Sequence, residues 1–210
     1  MATTEKQQRR RRVDGEASRT RILDAATEIA SERGYEGTSI ALVSSKCGLP
    51  ASSIYWHFKD KDDLIAAVID RSFAHWLSAW QMPAEGAARE RLVTMTLQIG
   101  KAILDSPGGL RLGLMLALER RPVEPRARAM YIDVRARMDT ALRATMREVI
   151  PELTEAQIHQ LATYALAGAD GLFIAKEIGG DSVDLLALFE LHATSLFDSA
   201  ERMIAGKDLP

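Results

Sequence analysis

The 210 residues include four histidines and one cysteine, and their spacing decides what chemistry they can do. His57, His75, His159 and His192 fall in no HExxH or other metal-ligand pattern. There is no nucleophile elbow, phosphate loop or dinucleotide-binding glycine motif, and no metal or cofactor is expected. Cys47 stands alone, so an intramolecular disulfide framework is impossible. It reads as a small apolar filler on the inward face of a short helix, or else as a reactive thiol or redox switch. Thiol titration of the native protein separates those two. Together these residues argue against an enzyme.

A different chemistry is concentrated between residues 38 and 64. Thr38 stands at the start of a short helix, as an N-cap whose hydroxyl accepts from an amide two or three residues on. A hydroxyl and free amides at a helix N-terminus also favour an anion such as phosphate. Lys61 falls in the first turn of a later helix, where a cation opposes the helix dipole. A phosphate partner would explain that position. Between them lies an aromatic and basic string, Ile54, Tyr55, Trp56, His57, Phe58, Lys59, Asp60, Lys61, Asp62, Asp63, Leu64.

The elements that must hold this string are helical. Ile22, Ala25, Ala26, Ile29 and Ala30 share one face at three- and four-residue spacing, and Gly34 stops that helix. A second helix runs from Ser39 to Cys47 with Ile40 and Val43 inward, followed by Gly48 and an anchoring Leu49. A third begins near Pro50, where a missing amide costs little, and ends at Phe58 and Lys59. Asp60 caps a fourth. The remaining helices are expected at Ala87 to Asp105, Leu110 to Leu118, Arg126 to Val149, Thr154 to Ile178 and Val183 to Ile204. No period-2 alternation suggests a strand anywhere.

Helix, short helix, glycine turn, short helix: from Ser39 to Leu64 this resembles the tetracycline-repressor (TetR) family of bacterial regulators. The preceding T-R-I-L-D-A-A-T-E-I-A with Gly34, Tyr35, Gly37 and Thr38 is similar to the family's start. The resemblance covers the first third of the chain. It implies an all-α protein: an N-terminal three-helix helix-turn-helix DNA-binding domain plus a C-terminal helical ligand-binding and dimerisation domain. The expected divisions are a flexible basic arm (1–16), the DNA-binding domain (17–77) and the helical body (78–210). It implies a homodimer on double-stranded operator DNA, most often a repressor that a small-molecule inducer releases. Tyr55 and His57 match positions that contact the DNA backbone in the family. Together with Thr38, Ser39, Lys61 and Trp56 they form the expected DNA-facing set, although Trp56 also reads as core or domain interface.

Base reading falls to Ala51, Ser52, Ser53 and Lys46, beside Pro50. Here the chain departs from the family pattern: Pro50 replaces the usual Ser or Thr cap, and Ala51 replaces a longer polar residue. Small side chains contact a thymine methyl or offer one hydroxyl, but cannot make the bidentate arginine–guanine contact. Operator choice then leans on DNA shape or on the run Arg9 to Arg12. That run also reads as a solvated tail.

In the body, Leu161, Ala165, Gly168, Ala169 and Leu172 form one stripe, and Leu185, Leu188, Phe189, His192, Leu196 and Met203 another. They fit a four-helix dimer interface or packing within one chain. Phe73, Trp76, Trp80, Met95, Met115, Met130, Tyr131, Tyr164 and Phe173 are candidates to line an apolar ligand pocket, or simply to fill the core. Asp170 must reach solvent or find a donor, a partner across a two-fold axis being one option. A formal net charge of −2 restricts any nucleic-acid site to a local patch. No signal peptide or membrane span is legible, so the cytoplasm is expected. A helical ligand-binding protein with a degenerate DNA head, or an activator, are the other readings.

Overall fold

The computed structural model describes the backbone of residues 2–119, 123 and 125–206, and side chains from Asp14 onward within those ranges. The side chains of Arg9 to Arg12 and the Arg120–Pro122 connection lie outside the described residues. Among the described residues there are nine α-helices and no strand: α1 (Ala2–Arg33), α2 (Ile40–Cys47), α3 (Ala51–His57), α4 (Lys61–Ser78), α5 (Ala88–Asp105), α6 (Gly108–Leu118), α7 (Arg126–Val149), α8 (Glu155–Gly179) and α9 (Leu185–Ile204), with a single 3₁₀ turn at Gly180–Ser182. Among the described residues, no helix is long and apolar enough to cross a membrane.

The chain forms two compact units, Met1–Phe73 with Ser106–Val134, and Ala74–Asp105 with Arg135–Pro210. The division falls inside α4 and α7 rather than after residue 77. α6 and the start of α7 thus join the N-terminal unit, which sequence spacing did not anticipate.

In the first unit α1 packs on α2, α3 and α6. Ile22, Leu23, Ala25, Ala26, Ile29 and Ala30 are all buried, as the three- and four-residue spacing requires. α1 begins upstream of residue 17: Ser18 and Thr20 donate to the carbonyls of Asp14 and Glu16, one turn back. A flexible arm reaching to residue 16 is therefore corrected for Asp14 to Glu16. The segment is rich in Arg, Gln, Glu and Lys, all good helix formers, and has no proline. Gly34, at φ 68°, ends α1 in the left-handed region, and its amide donates to the Ala30 carbonyl. Phe73 and Tyr131 meet with ring centroids 5.8 Å apart, and Gly113 of α6 lies directly under the Tyr131 ring.

In the second unit α9 packs on α5 and α8. Leu142, Met146, Ile158, Leu161 and Ala162 form its buried cluster. Thr154 caps α8 as expected, in a reciprocal capping box with Gln157. Asp184 caps α9.

Candidate nucleic-acid interface

α2, the Gly48 turn and α3 form the helix-turn-helix. Ser39, not Thr38, is the N-cap of α2: its Oγ accepts from the Leu42 amide at 3.2 Å. Thr38 is 1% exposed, and its hydroxyl donates to the Gly34 carbonyl at 2.8 Å. Its hydroxyl is engaged inside the fold, whereas Ser39 is exposed. At the other end of α2, Gly48 is left-handed (φ 64°), and the Arg21 guanidinium of α1 donates to the Cys47 carbonyl at 2.7 Å. A cation there satisfies an orphan carbonyl and suits the dipole. Val43 and Cys47 are buried, while Ile40 is half-buried.

Pro50 precedes α3 in an extended conformation, with no side-chain cap. Ile54 and Phe58 anchor α3 and its exit in the core. The opposite face carries Ser52, Tyr55 and Trp56, all exposed, with Ala51 and Ser53 half-buried. Trp56 is 75% exposed, which corrects its reading as core. Its ring makes an edge contact with His57 and sits near Gly15 of α1, whose notional Cβ would be 3.6 Å away. Lys46, expected to read bases, pairs instead with Glu28 on α1.

His57 is half-buried, and its pKa is lowered from 6.5, first by desolvation and then by the charge of Arg19. Arg19 lies 5.4 Å from the Phe58 ring centroid. Lys61 has partners that explain its position without a phosphate: the Tyr35 carbonyl at 3.2 Å, Glu36 at 3.6 Å and the Tyr35 ring at 4.2 Å.

The junction after α3 is dense in charge. Asp60 caps α4 as expected, accepting from the Asp63 amide at 2.8 Å. Asp63 accepts from the Lys59 amide at 3.0 Å. Asp62 accepts from the Arg126 and Ala127 amides at 2.7 and 3.0 Å, so a side chain of α4 caps α7. The Arg126 guanidinium meets both Asp60 oxygens at 2.9 and 3.0 Å, and approaches Asp62 at 3.5 Å and Asp63 at 3.8 Å. The Asp60 carboxyl is held below its ordinary pKa, first by the Asp63 amide and further by Arg126. Sequence reading missed Arg126, because no local pattern links residues more than sixty positions apart.

The nine pocket candidates are divided between the two units. Phe73, Met115, Met130 and Tyr131 belong to the first unit, and Trp76, Trp80, Met95, Tyr164 and Phe173 to the second. Phe73, Trp76, Met95, Tyr131 and Phe173 are buried as packed core, whereas Met115 and Tyr164 are exposed. Trp80 donates to the Thr145 hydroxyl at 3.3 Å. A shallow open groove lined by Ala136, Arg137, Thr140, Ala141 and Ala144 contains none of the nine.

The expected dimer stripes are partly covered within the second unit. Leu161, Ala165, Leu185 and Phe189 are buried in the single chain. Gly168 faces the His192 ring so closely that a Cβ would overlap it, and His192 also meets the Ala165 carbonyl at 3.0 Å. Leu172, Leu188 and Leu196 are half-buried. Asp170 finds its donor within the chain: Arg135 of α7 meets its two oxygens at 2.7 and 3.2 Å.

An all-helical chain with an exposed short helix behind a left-handed glycine turn is a helix-turn-helix protein. Residues 22–68 match the family model of bacterial regulatory proteins, tetR family. A transcriptional repressor of Mycobacterium tuberculosis (strain H37Rv) is 32% identical over 105 residues, 50% of this chain and 40% of that protein. The transcriptional regulator UidR of Escherichia coli (strain K12) is 36% identical over 73 residues, 35% of this chain and 37% of that protein. These matches thus span about two-fifths of the relatives' length. A solved TetR-like transcriptional regulator from Rhodococcus sp. RHA1 shares the fold at TM-score 0.69, with 21% identity over 90% of this chain and 97% of that one. The helix-turn-helix segment belongs to the tetR family of bacterial regulatory proteins.

Proposed function

We propose that this protein is a sequence-specific DNA-binding transcriptional regulator that represses from a palindromic operator and is released by a small apolar or aromatic ligand. The observation that carries the reading is the α3 surface: Ile54 and Phe58 fix the helix while Ser52, Tyr55 and Trp56 stand out from it. Ser39, Tyr55, Trp56 and His57 meet phosphates and fix orientation, and Ala51, Ser52 and Ser53, beside Pro50, lie against base edges. Lys46 and Lys61 reach phosphate only by leaving their partners in the fold.

The protein acts as a homodimer. With Leu161, Ala165, Leu185 and Phe189 of the predicted stripes buried, an exposed apolar face offered to a second copy is Tyr164, Gly171, Ile174 and Ile178 of α8 with Leu191 of α9. Tyr164, Gly171 and Ile178 recur every seven residues, and Ile178 is 83% exposed. The ligand enters by displacing packed core of the second unit around Trp76, Trp80 and Met95. It acts by favouring a head spacing other than the roughly 34–36 Å of one DNA turn.

Selection from a random duplex pool at physiological salt tests the reading. Enrichment of a palindrome supports it; no enrichment from a folded dimer removes it in favour of a ligand-binding protein with a degenerate head. Ile178→Glu should turn the dimer into a monomer in sedimentation, and an unchanged dimer would exclude that face.

A further inference from the structure

The junction that follows the recognition helix is acidic on its own. Lys59 to Asp63 contains two cations and three carboxylates. Lys61 is drawn back onto Tyr35 and Glu36, and Glu36 adds a further negative charge. Yet this segment leaves α3 one residue after His57, on the side the proposed function turns towards phosphates. Phosphates approaching within a Debye length, about 10 Å at 0.1 M salt, would feel uncompensated carboxylates. The compensation comes from α7. Arg126 is the first residue of that helix, half of its side chain is exposed, and its guanidinium reaches Asp60, Asp62 and Asp63. It brings the charge of Lys59 to Asp63 from −1, counted as two lysines against three aspartates, to zero, and leaves Glu36 outside that count. Asp62 also accepts from the backbone amides of Arg126 and Ala127, so the start of α7 is anchored at the cluster.

We infer that Arg126 is a positioning and countercharge residue for DNA binding: it neutralises the Asp60, Asp62 and Asp63 carboxylates at the exit of the recognition helix, so that the exit can lie beside phosphates. The inference rests on the proposed DNA-binding function. It assigns that role to a helix outside the helix-turn-helix, and Arg126 performs it without contacting DNA.

The test uses the full-length protein and the duplex it selects. Arg126→Ala should weaken operator binding roughly 3- to 10-fold at low salt, with the loss shrinking as salt screens the carboxylates. Adding Asp60→Asn and Asp63→Asn to Arg126→Ala should restore affinity, because both asparagines keep their acceptor oxygens. The same two asparagines in the otherwise unchanged protein should tighten binding, an arm that holds even if Arg126→Ala folds poorly. A purely structural ion pair predicts no restoration, and a direct Arg126–phosphate contact predicts a reduced salt slope with no rescue. Unchanged affinity in Arg126→Ala, or a loss that the asparagines leave in place, overturns the inference. Failure of the unaltered protein to select any duplex instead removes the functional reading, and the inference with it.

Discussion

Replacing Asp62 by alanine separates a helix cap from a surface ion pair within one cluster. α7 follows Pro125, and its first amides need a partner from elsewhere in the fold. The Asp62 carboxylate supplies it from α4, accepting two amides at 2.7 and 3.0 Å and the Tyr35 hydroxyl at 3.3 Å. Loss of an N-cap costs about 0.5–2 kcal/mol, and hydrogen bonds to a charged group about 1.5–3 kcal/mol. The Asp62 side chain is 21% exposed, so water replaces only part of what is lost. Asp62→Ala should therefore destabilise the first unit by about 2–3 kcal/mol, and Asp62→Asn, which keeps one acceptor oxygen, by about 1 kcal/mol. Arg126→Ala leaves both amides capped and removes only a solvent-screened pair, so its loss should be much the smaller. Urea unfolding ranks the three, and hydrogen exchange at the Arg126 and Ala127 amides locates the effect: both should exchange faster in Asp62→Ala. If Arg126→Ala destabilises as much as Asp62→Ala, the ion pair and not the cap holds α7, and the reasoning fails.

His57 links stability and binding to pH. Its folded pKa lies below 6.5, so its contribution to stability is complete above the unfolded value and is lost as pH falls from there through the folded value. A phosphate beside it would raise that pKa, so operator affinity should climb as pH falls from the bound-state value towards the free-protein value, which lies below 6.5. His57→Gln should flatten the profile; an equally steep profile in that variant excludes the contact. Gly113→Ala places a Cβ into the Tyr131 ring and should cost about 1–3 kcal/mol in urea unfolding, where a neutral outcome would mean the α6–α7 contact is loose. Ser39→Ala should cost about 1 kcal/mol through its lost cap, with Leu42 amide exchange accelerated; an unchanged exchange rate would return the cap to Thr38.

The head was legible because its signals are local. Ile22 to Ala30, Gly34, Gly48, Pro50 and Asp60 each mark a face or an end within a few residues, and the structure places all of them as the spacing implies. The errors there come from adjacent residues competing for one role. Thr38 and Ser39 are both good caps, and the cap is the one whose backbone is extended with its oxygen towards α2; the other is held back by the Gly34 carbonyl. Trp56 was ambiguous because α3 is only seven residues long. Two turns give too few positions for periodicity to separate an inward aromatic from an outward one.

The body was legible as helices but not as faces. α8 is apolar nearly all round, so several stripes can be drawn along it and sequence cannot say which one the chain itself covers. The structure decides by burial. Leu161, Ala165 and Phe173 turn inward, Gly168 admits the His192 ring, and Tyr164, Ile174 and Ile178 stay outside. Asp170 sits at the margin of these faces, and its environment explains how a carboxylate is tolerated there. Burial pushes its pKa up, while the two-pronged contact with Arg135 pulls it back. The net shift is upward, so desolvation outweighs the pair, and Asp170 as an anion costs stability at neutral pH. That penalty is present above the folded pKa and is relieved as pH falls, since the native state takes up the proton first. The geometric consequence of the pair is that Asp170 fixes the Arg135 guanidinium between α7 and α8. A methionine–leucine replacement of the Arg135–Asp170 pair would then match or exceed the stability of the native protein, whereas Asp170→Leu alone, leaving the half-buried guanidinium unpaired, would fall well below it.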